Sequence, residues 1–232
     1  MNDKEDSLIN HLEALRSTLM KCLVSVGILM PFMLYFSPKV LNFLIKILIS
    51  DNKISLNYFS PMEVFVLQIK IGLLLSVIAA FPYILKQIWN FVLPALYEHE
   101  RKFIKTCISF STLLFIFGVL FCMFLILPLI IRFGISFAGN NIQAVFGISN
   151  VINLALWLAF TFGLMFQVPL ITYLLIKWDI LSYSTISSKR PYVITILLVS
   201  AALLTPPDII SQLLLFVPTY LLFELGLIFS KR

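Results

Sequence analysis

Apolar residues run along this chain in long unbroken stretches, without the alternation of a strand or the narrow stripe of a soluble helix, and such stretches predict membrane spans. A helix needs about 20 mostly apolar residues to cross a bilayer, and non-helical backbone cannot face lipid. Six stretches qualify: 22–37, 64–85, 106–131, 153–176, 192–204 and 209–229. The third is long enough to tilt or to project beyond the membrane. Residues 133–176 carry no charge and are too many for one span, so Gly139-Asn140-Asn141-Ile142-Gln143 reads as a loop within them. The fifth stretch, at about 1.5 Å per residue, covers about 20 Å of a hydrocarbon core about 30 Å thick. The last two helices are therefore expected to be short, either as a re-entrant hairpin or as a pair that thins the bilayer. Thr205-Pro206-Pro207-Asp208 between them is a turn, because two prolines fix φ and lack donors. Ahead of the first span, Leu8, Leu12, Leu15 and Leu19 fall at helical spacing, with Asn10, Glu13 and Ser17 turned away. That pattern predicts an amphipathic helix over residues 1–20 lying at the cytoplasmic membrane surface.

Composition agrees. Of 232 residues 60% are hydrophobic and 12% charged, and mean hydropathy is +1.02. Ordinary soluble domains are about 45–50% apolar and about 25% charged. A water-soluble monomer of this length could not hide so much apolar surface, which excludes a soluble enzyme, a disordered tail and a disulfide scaffold. The expectation is one polytopic all-α membrane domain over residues 1–232. Twelve of the seventeen Lys and Arg fall in the N-terminus, the second and fourth loops and the C-terminus, four fall on the other side, and Lys70 lies within a span. This bias places both termini in the cytoplasm. The net charge of +6 thus reflects topology and does not point to nucleic acid. Cys22, Cys107 and Cys122 are odd in number and without CxxC spacing, so they read as inert thiols. An acidic start (Asp3, Glu5, Asp6) argues against a cleaved signal peptide.

Few residues remain to carry chemistry. Glu13 and Arg16 could form a local i,i+3 pair worth a few tenths of a kcal/mol. The second loop, Pro94 through Tyr97-Glu98-His99-Glu100-Arg101-Lys102, is either a solvated turn or a docking surface. There Glu98 or Glu100 would accept a cationic partner, and a guanidinium suits a carboxylate because two charge-assisted hydrogen bonds form at once. Inside the membrane, Pro169 should free backbone carbonyls beside Gln167. A hydrogen bond from Gln167 to Gln212 across helices would satisfy both for about 0.6–2 kcal/mol. Lys70 should snorkel, and Glu224 should reach the inner interface. Pro82, Pro94, Pro169 and Pro207 are expected to shape the backbone. Neither HExxH, a catalytic triad, GxSxG nor a P-loop is present, so no enzyme, cofactor or metal is expected. A proton- or ion-coupled small-molecule transporter using Asp208, Gln167 and Lys70 is the alternative, but the two halves show no repeat and Asp208 falls at the outer end.

Several segments, in order, closely resemble the TatC family, the core membrane subunits of twin-arginine protein translocases. They are His11-Leu12-Glu13-Ala14-Leu15-Arg16, Ser60-Pro61-Met62-Glu63-Val64-Phe65, Phe81-Pro82, Leu96-Tyr97-Glu98-His99-Glu100-Arg101, Phe166-Gln167-Val168-Pro169, Lys189-Arg190-Pro191-Tyr192, Leu204-Thr205-Pro206-Pro207-Asp208 and Phe223-Glu224-Leu225-Gly226. The resemblance covers essentially the whole chain. It implies six helices in a concave, glove-like arrangement in a bacterial inner membrane, or a thylakoid or mitochondrial one if the chain is organelle-encoded. It implies that twin-arginine signal peptides of folded cargo bind at the cytoplasmic face, with transport driven by the proton-motive force. It also implies TatA- and TatB-type partners, contact with membrane lipid, and self-association in a multimeric receptor complex. Carried over by position, Glu100 and Glu13 bind the signal, with Arg16, His99 and Arg101 beside them. Gln167, Gln212, Thr205, Pro206 and Asp208 form the intramembrane polar or partner contacts. Two departures stand out. Ala14 occupies a position where the family often has a second glutamate, and Gln167 occupies one where it often has an ionisable glutamate.

Overall fold

The computed structural model of the chain describes residues 2–49, 55–92, 101–136, 145–204 and 209–230. In chain order these form α1 (Asn2–Ile49), β1 (Ser55–Asn57), α2 (Glu63–Val92), α3 (Arg101–Phe121), a π-helical turn (Cys122–Ile126), α4 (Leu127–Ser136) and β2 (Val145–Gly147). They continue with α5 (Ile148–Met165), α6 (Val168–Lys177), α7 (Tyr183–Ser188), α8 (Arg190–Leu204) and α9 (Ile209–Ser230). The expected all-α membrane architecture is present. Among the described residues five helical stretches are long and apolar enough to cross a membrane: Leu12–Leu48, Glu63–Phe91, Phe103–Ser136, Ile148–Lys177 and Gln212–Ser230. The 15 residues of α8 extend about 22 Å and are short, as expected. The 22 residues of α9 extend about 33 Å, so this helix is of spanning length and the expectation of two short closing helices holds for α8 alone.

The N-terminal region also differs from its expectation. The surface helix and the first span are one continuous helix, α1, which passes through Pro31 and Pro38 to Ile49 instead of stopping near residue 37. The local reason is visible at Pro38, whose missing N–H would leave the Leu34 carbonyl unpaired. The hydroxyl of buried Ser37 donates to that carbonyl at 2.8 Å. Lys39 and Lys46, expected in an outer loop, therefore lie on the last turns of α1, and Lys39 Nζ stands 5.8 Å from the Phe36 ring centroid. A second proline is absorbed differently. Leu127 N–H donates to Cys122 O in an i→i+5 bond immediately before Pro128, and this wider π turn accommodates a residue that can neither donate nor sit close to the carbonyl four residues back.

The chain divides into two compact units, residues 1–43 with 64–112 and residues 44–63 with 113–232. In the first, Leu41, Leu67, Ile71, Ala80, Phe81 and Cys107 are buried, and the buried Ser76 hydroxyl is satisfied within its helix by Gly72 O at 2.6 Å. In the second, Cys122, Ile126, Leu158, Phe162, Phe166, Ala201 and Leu215 form one core. Helices α3 and α5 cross there on two glycines. A Cβ on Gly118 would stand 2.6 Å from Phe162 O, and one on Gly163 would stand 2.7 Å from the Phe115 ring. Small residues at a crossing let backbones approach where no hydrophobic force drives helices together in lipid. Strands β1 and β2 pair in parallel, with Ser55 opposite Val145 and Asn57 opposite Gly147. Large apolar residues are left exposed, such as Leu23, Ile28 and Phe32 on α1, as a helix that crosses lipid requires.

Candidate functional site

Glu13 and Arg16 are exposed side chains one turn apart on α1. Among the described residues they form no ion pair with each other, so the local partnership expected of them does not occupy the Glu13 carboxylate. Ala14 beside them is exposed too. Arg101 opens α3. Pro94, Glu98, His99, Glu100, Thr205, Pro206, Pro207 and Asp208 lie outside the described residues. Pro82 sits within a continuous α2.

The intramembrane polar positions are better defined. Helix α5 ends at Met165 and α6 begins at Val168, with Pro169 in the first turn of the new helix, as the sequence suggested. At the junction Gln167 N–H donates to Leu164 O at 3.0 Å, a tightened i→i−3 bond. Gly163 O thereby loses its usual backbone donor, and the side-chain amide of Gln167 substitutes with an Nε2···O distance of 3.4 Å. Gln167 is thus a buried local plug for the break that Pro169 makes. The expected Gln167–Gln212 bond is not formed. Gln212 Nε2 instead donates at 3.1 Å to Leu198 O, a backbone carbonyl on the neighbouring helix, and so ties α9 to α8. Thr172 and Thr219 direct their hydroxyls to Val168 O and Leu215 O within their own helices, at 2.8 and 2.7 Å.

A polar cluster that the sequence reading did not assemble lies at the inner end of α8 and α9. Arg190 Nη2 donates to Glu224 Oε2 at 3.0 Å, and Arg190 Nε stands 3.0 Å from Oε1. Nε makes this close contact without a hydrogen-bonding angle, so it adds charge attraction only. Tyr220 Oη donates to Oε1 at 2.8 Å. Below this cluster Ile186, Phe223 and Leu227 pack with Val168, Ile176, Tyr183, Val193 and Tyr220. Glu224 is the one acid in α9, and a carboxylate in so apolar a helix requires a cation, which was the available signal. Arg190 is 34 residues away, and no local spacing reveals it. Nearby, α9 lies so close to α6 that a Cβ on Gly226 would stand 2.8 Å from Pro169 Cα and 2.9 Å from Pro169 O. The turn after α6 is a Schellman closure: Ile180 N–H donates to Leu175 O and Asp179 N–H to Ile176 O, with Asp179 at φ 54°.

Among the described residues no group of three His, Cys, Asp or Glu could hold a metal ion. Buried hydroxyls and amides satisfy backbone, one ion pair joins two helices, and the N-terminal carboxylate is exposed. The fold defines a multi-pass α-helical membrane protein. The profile of the Sec-independent protein translocase protein (TatC) family matches residues 10–218, and the chain belongs to that family. It is 36% identical to the Haemophilus influenzae TatC over 99% of this chain and 90% of that one. It is 35% identical to the Escherichia coli K12 TatC over 97% and 88%. A crystal structure of the twin-arginine translocase receptor TatC superposes with a TM-score of 0.87 at 32% identity, covering 96% of this chain and 100% of that one. The chain is a protein-translocase component, and the ion-coupled solute transporter is set aside, because full-length relatives are translocase proteins.

Proposed function

We propose that this chain is the signal-recognising core subunit of a twin-arginine translocase in a bacterial inner membrane, and that it reads the arginine pair of folded cargo through Glu13 and Glu100. The observation that carries the reading is Glu13, an exposed carboxylate on α1 that no described cation neutralises, next to Ala14. With alanine at the neighbouring position, Glu13 is the N-terminal acceptor and Glu100 supplies the second. A guanidinium bound in two parallel charge-assisted bonds discriminates against lysine, a point charge that cannot form them. Arg16, His99 and Arg101 flank the two acids and set the local field. TatA- and TatB-type single-span subunits are the partners, other copies of the chain complete the receptor, and Gln212, Thr205, Pro206 and Asp208 belong to the partner-facing polar set. Gln167 cannot ionise, so the proton-motive force acts without a proton carried at this position.

The test is export of a folded reporter behind a twin-arginine signal. Glu100→Ala should block export and weaken signal crosslinking. Glu13→Ala should impair export, and adding Ala14→Glu to it should restore function. Normal export by the Glu13→Ala, Glu100→Ala double variant would overturn the assignment.

A further inference from the structure

We propose that the segment from Tyr58 to Met62 is a rigid lipid anchor, inserted among the headgroups and upper acyl chains of the outer leaflet. Tyr58, Phe59 and Met62 are 69%, 76% and 69% exposed, which makes three large apolar side chains bare within five residues. Met62 immediately precedes α2, where an apolar stretch over Glu63–Phe91 enters the membrane. Phe65 and Val66, in the first turn of that helix, are exposed as well. The bare apolar run is therefore continuous along the chain with a lipid-facing span, and lipid is the occupant this continuity selects. Amphipathic aromatic rings are most stable at the boundary between headgroups and acyl chains.

The segment is held in place. Ser60-Pro61-Met62 forms a turn that leads directly into α2 at Glu63. Glu63 N–H donates to Ser60 O at 3.1 Å, and Glu63 Oε2 accepts from Phe59 N–H at 2.8 Å. Glu63 Oε1 accepts from Ser149 N–H at 3.0 Å, which ties the segment to the start of α5. Phe59 Cε2 would stand 3.1 Å from a Cβ on Gly147, so one edge of the ring rests on β2 while the rest stays bare. Glu63 is the single charged residue from 55 to 63, and its two oxygens accept from the backbone N–H groups of Phe59 and Ser149, which turns the carboxylate onto the backbone of the segment it closes.

Phe59→Trp and, separately, Met62→Trp in the full chain, reconstituted in phosphatidylcholine vesicles, test the proposal. The added tryptophan emission is read as the difference from the parent. Bromine placed near the headgroup end of the acyl chain should quench it about twofold more than bromine near the terminal methyl, with little quenching by aqueous iodide. Strong iodide quenching without bromolipid quenching at both positions would show a water-facing loop and overturn the proposal. Protection from both quenchers would show a protein cover, such as a second copy of the chain, and overturn it equally.

Discussion

Removing one charge from the Arg190–Glu224 pair has a calculable consequence. In Glu224→Gln the side chain keeps its shape and can still accept from Tyr220, but Arg190 loses its counter-ion. The side chains of Arg190 and Glu224 are 40% and 24% exposed, which places the pair between two limits. A fully exposed pair contributes about 0–1 kcal/mol, and breaking a fully buried one costs about 3–5 kcal/mol. The directed Nη2 bond to a charged acceptor belongs to the class worth about 1.5–3 kcal/mol. We expect Glu224→Gln and Arg190→Gln each to destabilise by about 2 kcal/mol, intermediate between those limits. The double variant should cost less than the sum, with a coupling of about 1–2 kcal/mol. Reversible unfolding of the four proteins in mixed micelles gives the cycle, and exchanging the charges as Arg190→Glu with Glu224→Arg should recover part of the loss. Additivity within about 0.5 kcal/mol would refute the claim that the two side chains stabilise each other.

Three further outcomes follow from local geometry. Gly226→Ala should destabilise by about 1–3 kcal/mol despite a better helix former, because its Cβ meets the Pro169 backbone, whereas Gly134→Ala, with nothing within 4 Å, should be neutral or stabilising in the same unfolding assay. Asp179→Gly should stabilise by about 0.5–1 kcal/mol, since the left-handed φ of 54° costs a side chain what it does not cost glycine, and Asp179→Val should do the opposite. Glu63→Gln should weaken the grip on Phe59 and Ser149, seen as faster amide exchange at both N–H groups with exchange in α9 unchanged.

The apolar runs located the helices, because burial in lipid imposes a length that the sequence displays directly. What the runs could not display was how prolines are absorbed. Pro38 reads as a stop, yet Ser37 repairs the carbonyl it orphans, and Pro128 is accommodated by a shift to i→i+5 bonding that no composition rule encodes. The strand pair was invisible, since three-residue strands paired across about 90 positions have no periodic signature. At the polar positions the need was legible and the partner was not. Gln167 and Gln212 each required an acceptor, and each took a backbone carbonyl, which carries no side-chain signal. Glu224 was expected only to reach the inner interface, and Arg190 read as one more topology-setting charge, until the fold brought the two together. The exposure of Glu13 was legible in the pattern that turns it away from Leu8, Leu12, Leu15 and Leu19, and the structure leaves its side chain exposed.

The decisive measurement is export of one folded reporter that carries either Arg-Arg or Lys-Lys in its signal. The measurement is made in cells that lack their own TatC and hold the single-span partners, with and without this chain. Recognition of the arginine pair requires export of the Arg-Arg reporter when the chain is present, and none of the Lys-Lys reporter or of either one without the chain. Equal export of both reporters, or no dependence on the chain, would contradict it.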